Sequence, residues 1–144
     1  MYIVKEAKQV GILYHFTEPR KLRSIFQRNG LVSNLNDYIS FTRNFNLQKI
    51  SDFHDNTVRL VFDGDKLSNK YKIEPFLDRD NNINRHIGEF EERILWRKSK
   101  VLQCLFALIQ VDILDKKGYE VDEPESYIKN IPISFVKSFK PYKK

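Results

Sequence analysis

Short apolar and aromatic runs, each interrupted by one or two polar residues, recur along this chain, and most have the length of a strand. Val10 to Phe16 is the first, and it runs straight into a helix signal. Thr17 can cap that helix and Pro19 suits its first turn. Leu22, Ile25 and Phe26 then fall at i, i+3 and i+4 on one face, and Asn29-Gly30 supplies the stop. Asp37 to Thr42 reads as a second strand, Leu47 to Phe53 as a second helix, and Val58 to Phe62 as a β-rich strand. Asp63-Gly64-Asp65 turns the chain into a short helical turn at Lys66-Leu67. Tyr71 to Glu74 makes an edge strand ended by Pro75, and the polar, Asn-rich Asp78 to Arg85 makes a loop. Glu92 to Trp96 and Leu102 to Ile113 are further strands, Glu123 to Asn130 a helix, and Ile131 to Phe135 a last strand. Many short strands with two or three helices, in no strict βαβ order, predict an α+β fold.

Composition narrows this picture. The 144 residues suit one domain, and a hydrophobic fraction of 41% is enough for one core. No repeat or linker-like stretch divides the chain, so we expect a single domain over residues 1–136 and a basic tail over 137–144. The longest apolar run, Val101 to Ile109, is broken by Gln103 and falls short of the roughly 20 residues that span a bilayer. Met1 to Glu6 lacks the basic start and apolar centre of a signal peptide. The single cysteine, Cys104, excludes a disulfide framework, which predicts a reducing, cytoplasmic setting. The formal charge of +6 favours a polyanionic partner, although an ordinary basic surface would carry the same excess.

Candidate chemistry is sparse. His15, His54 and His86 have no second ligand at metal-type spacing, so no metal is expected. The five glycines are scattered, which leaves no phosphate loop or dinucleotide fingerprint, and no G-x-S-x-G marks a nucleophilic serine. What remains is three segments in which polar residues interrupt apolar, aromatic strands: Tyr14-His15-Phe16-Thr17, Tyr38-Ile39-Ser40-Phe41-Thr42-Arg43, and Glu89-Phe90-Glu91-Glu92-Arg93-Ile94-Leu95. A polar group in a strand centre costs free energy unless it is bonded or used. In the third segment, Glu89 and Glu91 share a face and Glu92 takes the other. Two carboxylates on one face would raise the pKa of one of them, and such a pair can stabilise a positive sugar centre in glycosyl transfer. The plain alternative is a solvated acidic turn with Arg93 as ion-pair partner. His15 has a comparable alternative as a half-buried histidine bonded to backbone, and Arg43 either clamps a phosphate or lies on the surface.

In this order, the three segments resemble the ADP-ribosyltransferase superfamily. Leu13-Tyr14-His15-Phe16-Thr17 looks like the first strand of its histidine-type branch, found in bacterial and phage toxin-like transferases. Ile39-Ser40-Phe41-Thr42-Arg43 is similar to the second motif, and Glu89-Phe90-Glu91 fits E-x-E. The likeness covers about residues 10–113. It departs from the pattern in lacking a clean S-T-S, and Glu91 competes with Glu92 for the catalytic role, with Glu91 preferred because it completes E-x-E.

The resemblance implies a split antiparallel β-sheet with NAD, as co-substrate, in the cleft. His15 would bond the adenosine-side ribose, supported by Thr17, and Arg43 or Arg20 would sit near the pyrophosphate. Tyr38 or Phe41 would stack on nicotinamide, with Ser40 and Thr42 on the same strand. Glu91 or Glu92 would hold the nicotinamide ribose, and a second glutamate, Glu89 among them, would activate a protein or nucleic-acid acceptor. Two other readings stand beside it. One is a non-catalytic nucleic-acid-binding module using Arg20, Lys21, Arg23 and Arg28 of the first helix together with the Lys-rich tail. The other is a phage-type inhibitor or interaction protein.

Overall fold

Alternation of apolar and polar residues builds most of the architecture. The structure, a computed structural model, describes residues 10–45, 57–75 and 91–114. In chain order these form β1 (Ile12–Thr17), a 3-10 turn (Pro19–Lys21), α1 (Leu22–Arg28), β2 (Gly30–Leu31), β3 (Tyr38–Thr42), β4 (Thr57–Asp63), α2 (Gly64–Lys70), β5 (Ile73–Pro75), β6 (Glu91–Leu95), β7 (Leu102–Gln103), a second 3-10 turn (Leu105–Ala107) and β8 (Leu108–Leu114). The fold is α+β, with a mostly antiparallel sheet and two short helices among the described residues. The main sheet has six strands in the order β5-β6-β3-β1-β4-β8, and β2 pairs with β7 in a second sheet. The predicted helix at Leu47–Phe53, the loop at Asp78–Arg85, the elements over Glu123–Phe135 and the basic tail lie outside the described residues.

Antiparallel partners share a face, so the register assigns every strand residue to one side of the main sheet. One side is apolar. Leu13, Ile39, Phe41, Val58, Leu60, Phe62, Ile94 and Ile113 pack there in one cluster with Leu22 and Ile25 of α1 and Leu67 of α2. The other side carries Tyr14, Thr42, Arg59, Glu91 and Asp112, all of them buried.

Strand pairing is uneven. β1 lies against β4 along its whole length, from Ile12 opposite Asp63 to Thr17 opposite Val58. Against β3 it is in register at a single position, Tyr14 opposite Thr42. β3 in turn pairs fully with β6, from Tyr38 opposite Leu95 to Thr42 opposite Glu91. The sheet is therefore two three-stranded halves joined at a narrow seam.

Several junctions differ from the sequence expectation. Thr17 ends β1 and is not the helix cap; Glu18 takes the capping position without a side-chain bond, and Pro19 opens the 3-10 turn. The expected stop at Asn29-Gly30 is in place, with Asn29 adopting the left-handed conformation (φ 62°) that closes α1. Gly30 begins β2, where a Cβ would lie 1.9 Å from the Leu102 carbonyl oxygen. Asp63-Gly64-Asp65 is a helix start more than a turn. The Asp63 carboxylate accepts from the Asp65 and Lys66 amides, and α2 runs on to Lys70. Asp65 reaches back to the start of β1, accepting from Val10 N (2.6 Å) and Gly11 N (3.1 Å), bonds that hold its carboxyl below the usual pKa. The stretch Leu102 to Ile113 is not one strand. Cys104 leaves the extended conformation (φ −123°, ψ −1°) and a 3-10 turn separates β7 from β8.

Candidate functional site

Where β1 and β3 part beyond Tyr14 and Thr42, the chain opens a cleft of about 460 Å³. Its walls include His15, Thr17, Lys21, Tyr38 and Ser40, with the Val32–Asn36 loop along the rim. Ser33 shapes that loop, its hydroxyl accepting from the Leu35 and Asn36 amides. A second cleft of about 240 Å³ shares His15, Thr17 and Lys21 and continues to Ser24 and Arg28 on α1. The larger one is within the size range of small-molecule sites.

His15 sits at the seam. Its Nδ1 is 2.8 Å from the Ser40 carbonyl oxygen, which can only accept, so Nδ1 carries the proton. Burial pushes the imidazole pKa below its ordinary value; the bond to Ser40 raises it and the charge of Lys21 lowers it further. The ring is therefore neutral at pH 7 and Nε2 keeps a lone pair, which can accept from a hydroxyl. The Phe41 ring packs edge-on to it at 5.8 Å.

The two described glutamates of the third segment divide between the faces, as alternation requires. Glu92 pairs with Phe41, lies on the apolar side and is 2% exposed. Its Oε1 accepts from Arg43 Nη2 at 3.3 Å, so Arg43 is an ion-pair partner of Glu92 while its own side chain is 44% exposed. Glu91 pairs with Thr42 on the polar side, and Arg93 donates to it. The Arg93 guanidinium lies over the Tyr38 ring, 3.9 Å from its centre. Tyr38, Ser40, Thr42, Glu91 and Arg93 thus share one face, whereas His15, Thr17, Phe41 and Glu92 occupy the other. His15 reaches Ser40 through the backbone carbonyl, so the two meet although their side chains take opposite faces. Neither Glu91 nor Glu92 lines the cleft. Glu91 stands diagonally across from Ser40, a separation of roughly 7–8 Å in antiparallel pairs. Glu89 is outside the described residues. Arg20 is exposed and bonds Glu18 at 2.6 Å.

Further along the polar face, β4 and β8 contribute a pair that the sequence reading did not single out. Arg59 is 2% exposed and Asp112 7%. Arg59 Nε and Nη2 both donate to Asp112 Oδ2, at 3.0 and 2.8 Å, and Nη1 donates to the Phe45 carbonyl at 3.2 Å. The Phe45 ring covers the guanidinium at 3.7 Å and meets Tyr14 edge-on at 5.5 Å. Gln110 also donates to Asp112. One opposite charge in the middle of each of two apolar strands was the available signal. The cleft-lining loop Val32–Asn36 was also missed, and only its polarity distinguishes it in the sequence.

Among the described residues, no group of three His, Cys, Asp or Glu side chains is placed to hold a metal ion. No helix there is long and apolar enough to cross a membrane. Cys104 is buried, and burial pushes its thiol up to about 12. No protein family, curated protein or solved structure matches this chain.

Proposed function

We propose that this chain is an NAD-dependent ADP-ribosyltransferase acting on a macromolecular acceptor. The observation that carries the reading is the seam. The three segments that resemble the superfamily lie on adjacent strands, β6-β3-β1, and the sheet opens between the two that bear His15 and Ser40. The resemblance implies a split sheet with NAD in its cleft, and a cleft beside the seam supports that reading.

The residues then take the following roles. Neutral His15 accepts a ribose hydroxyl at Nε2, its ring fixed by the bond to Ser40. Thr17, Ser40 and Tyr38 border the same space. Glu91, on the face of Ser40 and Thr42, is the catalytic carboxylate, which agrees with its place in E-x-E. Arg93 holds Glu91 in position. Glu92, buried on the apolar side and paired with the half-exposed Arg43, serves the fold. NAD supplies the bond that breaks: nicotinamide leaves with the electron pair of its glycosidic bond, and the acceptor bonds C1′ of the ribose as it gives up a proton. Most of the rate gain comes from positioning and from the carboxylate charge beside the sugar.

The test is to incubate the pure protein and a cell lysate with NAD labelled in the adenylate portion. Label should enter macromolecules, and Glu91→Gln should cut the rate by about 100-fold or more. His15→Ala should chiefly raise KM for NAD. Labelling that survives both Glu91→Gln and Glu92→Gln would overturn the reading.

A further inference from the structure

The rim of the cleft is bolted to a strongly cationic turn. After β6 the chain reverses over Trp96–Lys100, with the Lys100 amide donating to the Arg97 carbonyl at 3.1 Å and Ser99 in the left-handed region (φ 66°). Three backbone amides tie this turn to the loop that borders the cleft. Trp96 N donates to the Asp37 carbonyl at 3.1 Å, Lys98 N to Asp37 Oδ1 at 2.8 Å, and Ser99 N to the Ser33 carbonyl at 2.7 Å. Arg97, Lys98 and Lys100 are all exposed. None of them has an ion-pair partner among the described residues. Asp37, the nearest carboxylate in sequence to this rim, accepts a backbone amide of the turn.

Beside these cations lies an apolar groove formed by Leu95 and Trp96 with Asp37, Arg97 and Lys100. Leu95 is 72% exposed, and Leu35, on the loop that rims the cleft, is 87% exposed. Closely spaced positive charges next to an apolar groove that carries one half-exposed indole, Trp96, are the chemistry of a single-stranded nucleic acid site, where phosphates pair with the cations and a base rests on the apolar surface. An acidic peptide would satisfy the charges but would leave the apolar groove unused. A duplex would keep its bases stacked and away from the cleft.

We infer that the acceptor of the proposed transferase is a single-stranded nucleic acid, held on the Arg97–Lys100 turn with a base resting on Leu95 and Trp96. The inference rests on the transferase reading. In the transfer, a base nitrogen or a hydroxyl of the strand bonds C1′ of the ribose and releases its proton to Glu91, while nicotinamide leaves with the electron pair of the broken bond.

The experiment measures fluorescence anisotropy of labelled, mixed-sequence DNA and RNA strands of roughly 15 nucleotides, with the matching duplex and polyglutamate as competitors. The charge-reversal variant R97E/K98E/K100E is compared with K66E/K70E/K72E, which changes the same net charge on other exposed positions. Single strands should bind, with a slope of log K against log salt near −2, as expected for about three phosphate contacts. R97E/K98E/K100E should weaken binding at least about tenfold and flatten that slope, while the control variant stays within about threefold. The DNA and RNA arms identify the sugar preferred. Equal loss in both variants, no binding at about 50 mM salt, or polyglutamate competing as well as the strand overturns the inference. Two further readouts separate it from the transferase reading. NAD breakdown without any strand tests the transferase alone and should persist in R97E/K98E/K100E. A strand mass increased by one ADP-ribose, absent in that variant, supports the acceptor. NAD breakdown in the wild type with no strand bound or modified refutes the acceptor and leaves the transferase standing, whereas no NAD breakdown at all refutes both.

Discussion

The two halves of the main sheet are built on different principles. In β1-β4-β8, the strands pair along their length with one bulge between Val61 and Phe62, β4 is buried at all but its last residue, and a charged pair is sealed inside by Phe45. In β5-β6-β3, the outer strand is three residues long, contains Pro75, and faces solvent at Glu74. One half is a platform and the other a flap, and they meet at Tyr14 and Thr42. A sheet that is continuous at one residue and open beyond it can hold a ligand between strands without giving up its core. That explains why His15 can be half-buried, bonded and still on a cleft wall.

The sharpest way to break this contrast is to unbalance the sealed pair. Asp112→Ala leaves the Arg59 guanidinium buried without its carboxylate and should cost about 3–5 kcal/mol in denaturant unfolding. Replacing both with apolar residues, Arg59→Met with Asp112→Leu, should recover most of the loss. Amide exchange sharpens the same comparison: β4 amides should exchange only through global unfolding, and β5 and β6 amides through openings lower in free energy by about 2 kcal/mol or more. Equal protection in the two halves would mean that the seam does not divide the sheet.

The seam itself should report pH. The unfolded chain binds a proton on His15 near the ordinary value of 6.5, and the folded chain only at lower pH, because burial disfavours the charged ring. The unfolded state therefore holds more protons in that window. Stability should fall as pH drops through 6.5 and level off below the folded pKa, with a slope of at most about 1.4 kcal/mol per pH unit from this group. His15→Gln should remove that component of the slope, read from urea midpoints across pH. The smallest effect is expected in the flap, where Ile94→Val should cost about 1 kcal/mol and leave β4 exchange on its global path.

Much of the platform and flap can be read from the chain because alternation writes strands directly. Tyr38–Thr42, Thr57–Asp63 and Glu91–Leu95 each stand within a residue or two of their sequence signals. The break inside Leu102 to Ile113 was hidden because that run has no glycine or proline; only a backbone excursion at Cys104 divides it. The sequence signals only a short helical turn at Lys66-Leu67 where α2 runs from Gly64 to Lys70, because Gly64 normally weakens a helix, whereas here it is the residue that allows close approach. A Cβ at Gly64 would lie 2.4 Å from the Gly11 carbonyl oxygen, to which its own amide bonds. For the site, the opposite orientation of Glu91 and Glu92 followed from period two alone. The meeting of His15 with Ser40 did not, because it depends on which single residue of β1 remains in register with β3.

Cys104 carries one more consequence. With its thiol buried and pushed up to about 12, it is almost wholly unreactive toward alkylating reagents while the fold is closed. It is also the only sulfhydryl in the chain. Its labelling kinetics are thus a built-in clock with a single hand. Each adduct dates one excursion of the β7–β8 junction into solvent, and ligands that stiffen the molecule should slow that clock without touching the residue that keeps it.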